Sequence, residues 1–253
     1  MIIDRFRADG KIALVTGGTR GIGLGIARAL AEAGATVIVS SRTDSGAVEK
    51  LAAEGHTVEF RAADMLDVDA PKALIDGVVA DHGRLDILVN NAGIADNAPT
   101  HEFDDERYDR IMSVNLHSVF RSCRAAIPHM QKQGGGVILN IGSISAMISN
   151  VPQPQAAYNA SKAAVHQMTV SIASDYAKDN IRANAIAPGY IITDMTKNGL
   201  DNPDMAPIWQ EMTPMDRAGE VDEIAGAALF LCTDASSYCT GTVLVADGGY
   251  TTR

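Results

Sequence analysis

Short runs of β-branched and aliphatic residues alternate along the chain with longer segments whose apolar positions recur at helical spacing. The runs predict strands at 12–16, 36–41, 57–63, 86–90, 136–141, 182–187 and 242–246. They are continuous apolar runs rather than alternating ones, as expected of a parallel sheet buried on both faces. The amphipathic segments 21–33, 68–81, 104–131, 155–178 and 221–232 are each long enough for a crossover helix between parallel strands. Right-handed crossovers then give an α/β architecture: a doubly wound, seven-stranded parallel sheet with helices on both faces. Its ligand crevice is expected beyond the carboxyl ends of the strands. No repeat or Gly/Ser linker divides residues 1–253, so one domain is expected. The stretch 193–219, with Pro203, Pro207 and Pro214, resists assignment. An interruption of that length is uncommon without a role, so it reads as a substrate lid, with a plain surface excursion as the alternative.

Composition narrows the function classes. Hydrophobic residues at 46% and charged residues at 21% allow a sizeable core and exclude a disordered chain. Lys plus Arg total 21 against 31 Asp plus Glu, and a net charge of −10 opposes phosphate-driven nucleic-acid binding. Cys123, Cys232 and Cys239 have no CxxC spacing, so neither a disulfide framework nor a structural zinc is expected, and a reducing, cytoplasmic compartment fits. The first seven residues are charged where a signal peptide needs an apolar core. The longest apolar stretch, 224–232, is too short to span a membrane. The six histidines form no ligand pattern, so no metal is expected. Asp104, Asp105 and Glu106 open a helix, where acids complement the dipole.

The chemistry-bearing residues begin directly after the first strand, with Thr16-Gly17-Gly18-Thr19-Arg20-Gly21-Ile22-Gly23 leading into a helix. Glycines let backbone approach a pyrophosphate, and the first helical N–H groups face the anion. At the end of the second strand, where an NAD site places a carboxylate on the ribose, this chain reads Ser40-Ser41-Arg42. Arg42 and Ser41 would bind a 2′-phosphate, which favours NADP, and Arg20 adds a second positive contact; a solvated Arg42 is the alternative. Tyr158 and Lys162, four apart, share one helix face. An ammonium there favours the phenolate. Ser143 and Ser145 lie just past the preceding strand, placed to donate to a developing alkoxide.

Together these residues resemble the short-chain dehydrogenases/reductases over nearly the whole chain. The resemblance rests on Thr16-Gly17 to Gly21-Ile22-Gly23, Asn90-Asn91-Ala92-Gly93, Asn115, Ser143, Tyr158-x-x-x-Lys162 and Pro188-Gly189-x-x-x-Thr193, in that order. It implies a Rossmann-type domain and hydride transfer at a nicotinamide without a metal. Tyr158 is then the acid/base, Lys162 lowers its pKa and binds the nicotinamide ribose, Ser143 positions the substrate oxygen, and Asn115 anchors a water chain. Counting from the strand selects Ser143, whereas distance from Tyr158 leaves Ser145 open. Gly17, Thr19, Arg20, Gly21, Ile22 and Gly23 are implied at the phosphates, Ser41 and Arg42 at the 2′-phosphate, and Asp64 and Met65 at the adenine. Asn91 falls at the cleft base and Ile191 and Thr193 at the nicotinamide, with Ala92, Gly93, Ile141, Pro188 and Gly189 completing the cofactor surface.

The loop 150–162 and the ending Asp247-Gly248-Gly249-Tyr250-Thr251 are similar to those of a subgroup acting on polyols and ketoses. Asn150 and Gln153 are placed to bind sugar hydroxyls, or else serve the turn around Pro152 and Pro154. Met195, Met205, Met212, Met215 and Trp209 either cover the substrate or pack the lid. The leading expectation is an NADP(H)-dependent reductase of a small ketose or hydroxyketone. Its competitors are a 3-oxoacyl-(acyl-carrier-protein) reductase and a non-catalytic NADP(H) sensor. The resemblance also implies a homotetramer.

Overall fold

The computed structural model describes residues 1–253. The seven apolar runs become β1 (Ile12–Thr16), β2 (Thr36–Ser41), β3 (Val58–Ala62), β4 (Ile87–Asn90), β5 (Gly136–Ile141), β6 (Ile181–Pro188) and β7 (Val243–Ala246). They form one sheet in the order β3-β2-β1-β4-β5-β6-β7, and every neighbouring pair is parallel. Alternate strand residues feed two separate cores, which is why the runs are continuously apolar. Ala13, Val15, Val37, Val39 and Val89 face one side, where Ile26 and Leu30 of α1 (Gly21–Glu32) meet Ile224 and Leu231 of the C-terminal helix Val221–Cys232. Leu14, Ile38, Leu88 and Ile138 face the other side.

Between these elements run α2 (Ala47–Ala53), α3 (Ala70–His82), α4 (Asp105–Met112), α5 (Ser118–Gln133) and α6 (Ala156–Tyr176). After them come α7 (Asp194–Leu200), α8 (Ala206–Met212) and the C-terminal helix already described, α9 (Val221–Cys232). Leu74, Ile75 and Val78 of α3, Ala126, Ile127 and Met130 of α5, and Val165 and Ile172 of α6 cover the second core.

Three features depart from the pattern-based expectation. The helix expected at 104–131 is not uniform, because a π-helical turn at Ser113–His117 separates α4 from α5. The short α2 has only Ala47 and Leu51 buried, too few apolar anchors to register as periodicity. The stretch 193–219 is not irregular throughout, since it folds into α7 and α8.

Sheet order reverses between β1 and β4, which opens a crevice at their carboxyl ends. There the strands turn polar and their side chains pair. Asn90 Nδ2 donates to Asn140 Oδ1 at 2.9 Å, and Asn140 Nδ2 donates to Thr169 Oγ1 of α6 at 2.8 Å. These buried amides are satisfied across β4, β5 and α6, which fixes where α6 sits on the sheet.

Candidate active site

The glycine loop is built by close backbone approach. A Cβ on Gly23 would lie 2.3 Å from the Gly17 carbonyl oxygen and 2.4 Å from Asn91 Nδ2, and Gly17 itself has φ +63°. Asn91 closes the structure from beneath: its Nδ2 donates to the carbonyls of Thr16 and Gly17, both at 3.0 Å. The Thr16 hydroxyl oxygen accepts from the N–H groups of Asn91 (3.1 Å) and Ala92 (3.2 Å). Asn91 therefore braces the cleft base with both amide protons engaged. The first N–H with a helical partner is that of Leu24, bonded to the Arg20 carbonyl, so the N–H groups of Gly21, Ile22 and Gly23 face out of the helix start. With no side chain at Gly17 or Gly23 and these donors at its rim, the loop fits a pyrophosphate.

At the end of β2 the Arg42 side chain is exposed and makes no ion pair, while Ser41 Oγ donates to the Thr43 carbonyl. Thr19 is held through its carbonyl, which accepts from Ser45 Oγ at 2.8 Å. Past β3, Asp64 lies exposed in a turn, its Oδ1 accepting from the Leu66 N–H, and Met65 is buried beside it. Arg20 stands 3.9 Å from Asp194, both largely exposed. Thr193 Cγ2 packs against Gly21, so the root of 193–219 touches the glycine loop. Pro188 ends β6, the Gly189 N–H donates to the Ala246 carbonyl, and buried Ile191 bridges to Gly219.

The second cluster forms where β5 meets α6. After Ile141 the chain passes Gly142 and Ser143, which caps a short turn by accepting from the Ser145 N–H at 3.1 Å. The Ser143 hydroxyl also lies near enough to the Tyr158 phenol to favour its ionised form. Ser145 is occupied elsewhere, its Oγ accepting from Gln155 Nε2 at 3.0 Å. Lys162, only 5% exposed, donates from Nζ to the Ile141 carbonyl at 2.8 Å. Burial pulls its pKa from the ordinary 10.5 down to about 8.

The Tyr158 phenol is pushed up by burial, pulled back by the Ser143 hydroxyl and pushed up again by Tyr190. Lys162 Nζ lies 5.8 Å from the centre of the Tyr158 ring while donating to the Ile141 carbonyl. Asn115, in the π-helical turn, accepts from the Ile94 N–H and donates to the Ile94 carbonyl, each at 2.9 Å, and to Ser161 Oγ at 3.1 Å. Its side chain braces the backbone that follows Gly93, behind Lys162. Both amide protons are used.

Pattern reading missed His166, one helical turn after Lys162 on the same face of α6. Its Nε2 accepts from the Ser143 N–H at 3.4 Å, and burial together with Lys162 lowers its pKa to about 4. A neutral ring with a free Nε2 lone pair steadies the Ser143 backbone at physiological pH.

Tyr190 and the role of Trp209 were also not legible. The buried Trp209 ring stacks on Tyr190 with centroids 3.9 Å apart, and its indole N–H donates to Gln153 Oε1 at 3.1 Å. Tyr190 Oη accepts from Gln153 Nε2 at 3.0 Å and from Asn150 Nδ2 at 3.1 Å. Tyr250 meets Tyr190 edge-on, and its hydroxyl contacts Met212 Sδ at 3.2 Å. Trp209 is thus packing, whereas Met195 and Met215 are more than half exposed. Behind Tyr190 lies a cavity of about 170 Å³ lined by Thr213, Met215, Arg217, Glu223 and Asp247, separate from Ser143 and Tyr158. No group of His, Cys, Asp and Glu is placed to hold a metal ion.

The arrangement joins a dinucleotide cradle to a hydroxyl pair able to pass a proton to a carbonyl or alcohol oxygen. Comparison with known proteins agrees with it. A family model described as enoyl-(acyl carrier protein) reductase matches residues 17–251. A galactitol 2-dehydrogenase from Rhizobium johnstonii is 45% identical over 251 residues, covering 98% of this chain and 97% of that protein. A galactitol 2-dehydrogenase (L-tagatose-forming) from Cereibacter sphaeroides is 44% identical over 248 residues, covering 97% of each. The crystal structure of a gluconate 5-dehydrogenase from Burkholderia cenocepacia, in complex with NADP and tartrate, matches with a TM-score of 0.95 at 38% identity over 100% of both chains.

Proposed function

Since the chain belongs to the short-chain dehydrogenase/reductase family and is an oxidoreductase of CH–OH and C=O groups, we propose that it interconverts a polyol and its ketose using NADP(H). The observation that carries the reading is the convergence of Ser143, Tyr158 and Lys162 at the end of β5, beside a glycine loop shaped for a dinucleotide.

The N–H groups at the start of α1 and the Thr19 to Gly23 backbone would hold the pyrophosphate. The unpaired Arg42, with Ser41, would take the 2′-phosphate that distinguishes NADP, and no carboxylate ends β2 to repel it. Asp64 and Met65 are assigned to the adenine, and Ile191 and Thr193 to the nicotinamide end. When bound, the nicotinamide supplies or accepts the hydride.

The protein's own part is the proton. In reduction, the Tyr158 hydroxyl donates a proton to the substrate oxygen; in oxidation, the phenolate takes one. Ser143 Oγ donates to the same oxygen and is held in place by the Ser145 N–H. Ser145, tied to Gln155, is assigned a supporting role. Lys162 carries positive charge next to Gly93 and Asn115, where a ribose hydroxyl would meet it. The segment 193–219 is read as the substrate lid.

The same reading includes a cytoplasmic location and a homotetramer. Tyr108, Phe120 and Val170 stand exposed on α4, α5 and α6, as a tetramer contact would require. No helix is long and apolar enough to cross a membrane.

The test is initial-rate kinetics with NADP(H) and NAD(H) against galactitol, gluconate, ketoses and a 3-oxoacyl thioester, with Tyr158→Phe as control. Expected are turnover of a polyol or ketose, preference for NADP(H), and a fall in kcat of about 10²–10⁴-fold in the variant. Thioester preference would move the protein to acyl reduction, NADH preference would overturn the Arg42 assignment, and inactivity throughout would favour a sensor.

A further inference from the structure

Helix α6 grips the end of β5 at two points, and only the first belongs to the cofactor reading. Lys162 Nζ donates to the Ile141 carbonyl at 2.8 Å. One helical turn on, His166 Nε2 accepts from the Ser143 N–H at 3.4 Å. Between them the Gly142 N–H donates to the Ile186 carbonyl of β6 at 2.8 Å. The three residues that carry the chain from β5 to the Ser143 hydroxyl are thus each held by a different partner, and the last hold is the imidazole.

Gly142 makes that hold possible. A Cβ there would lie 2.0 Å from His166 Nε2 and 2.5 Å from its Cδ2, so the ring reaches the strand end only because a glycine admits it. The bond also fixes the ring's protonation. An N–H meets Nε2, so the ring proton sits on Nδ1 and the ring is neutral, a state that burial and the neighbouring Lys162 both favour.

Tyr158, Lys162 and His166 follow one another at spacings of four, so one face of α6 carries the phenol, the ammonium and the imidazole. The other hold on Ser143, the Ser145 N–H on its Oγ, lies within the same short turn and moves with it. It cannot set the turn against α6. The imidazole can, because it stands on the helix that carries Tyr158.

We propose that His166 is a positioning residue for the reaction: by accepting the Ser143 N–H it holds the Ser143 hydroxyl in register with the Tyr158 phenol. This role rests on the reading of Ser143 above as the group that meets the substrate oxygen, and it names what keeps the two hydroxyls aligned.

The experiment measures kcat and KM on the polyol turned over fastest, in wild type, His166→Leu, His166→Gln, Ser143→Ala and the Ser143→Ala, His166→Leu double variant. Cofactor Kd and melting temperature accompany each, to show that the variants fold. His166→Leu occupies the ring's place without an acceptor and is expected to lose about 5- to 50-fold in kcat with cofactor Kd unchanged. His166→Gln offers an amide oxygen in place of Nε2 and is expected to return to within about threefold of wild type. With Ser143 already removed, His166→Leu is expected to change kcat by less than about twofold, since the group it positions is gone.

Equal losses in the Leu and Gln variants, or the same loss from His166→Leu with and without Ser143, would overturn the positioning role alone. A Ser143→Ala variant as active as wild type would overturn the Ser143 reading and this role with it. The bond itself is read without turnover by ¹⁵N NMR of labelled histidine at pH 7, the His166 signals being those lost in His166→Gln. A ring protonated at Nδ1 alone is expected, and a proton on Nε2 would remove the basis of the role.

Discussion

The two halves of the crevice are made of different materials. On the β1–β4 side the site is backbone: glycines packed against carbonyls, N–H groups at a helix start, and Asn91 holding the loop from below. On the β5–β7 side it is side chain: Gln153, Trp209, Tyr190, Tyr250 and Asn150, drawn from four separate segments. A pyrophosphate is the same in every reaction, and a backbone cradle serves it with no variable part. A substrate differs from one enzyme to another, and a wall of side chains can be altered one residue at a time without disturbing the cradle.

The sharpest way to break the contrast is Gly23→Ala. The new Cβ would fall 2.3 Å from the Gly17 oxygen, a backbone atom that cannot swing aside. Calorimetric titration is expected to show cofactor binding lost, together with a lower melting temperature, and near-normal binding would mean the loop is softer than a backbone-built site requires.

A middle-sized effect is expected at the seam between the halves. Lys162 is buried with its pKa lowered from 10.5 to about 8, so between those values the unfolded chain holds more protons than the folded one. Stability of the cofactor-free protein should therefore rise with pH across that window, and the burial cost, about 3 kcal/mol, should be fully present below pH 8. Lys162→Met removes the window: denaturation of the variant is expected to be more stable than wild type at pH 7 and to converge on it by pH 10.5. Parallel pH profiles would show that Lys162 is not strained by burial.

The smallest effect tests the side-chain half. Trp209→Phe keeps an aromatic ring on Tyr190 but removes the N–H that Gln153 accepts, worth about 1–2 kcal/mol, together with part of the buried ring that packs on Gly199. Substrate KM is expected to rise severalfold with cofactor Kd unchanged, and a matching change in cofactor Kd would dissolve the distinction between the halves.

The same division marks what was legible. Strand number, the parallel sheet and the glycine loop follow from local periodicity and from residues adjacent in the chain. Tyr158 and Lys162 are read as a pair because helical spacing alone puts them on one face. His166 obeys the same spacing and was within reach of the same reasoning, but its value depends on Gly142 lying beneath it, where a Cβ would sit 2.0 Å from Nε2. Counting from the strand selects Ser143 and distance from Tyr158 leaves Ser145 open; what no count along the chain shows is that Gln155 occupies the Ser145 hydroxyl.

By itself the sequence determined the elements, their parallel arrangement, the glycine loop and the shared helix face of Tyr158 and Lys162, because each depends on dihedral preference or on fixed spacing along a helix or strand. Only the tertiary structure decided the π-helical turn that carries Asn115, the brace made by Asn91, and the joining of 193–219 to the 150–155 loop through Trp209 and Gln153. Those contacts link residues up to 75 positions apart. No local period encodes such a contact; it exists only once burial has brought the partners together and their polar atoms must be satisfied by one another.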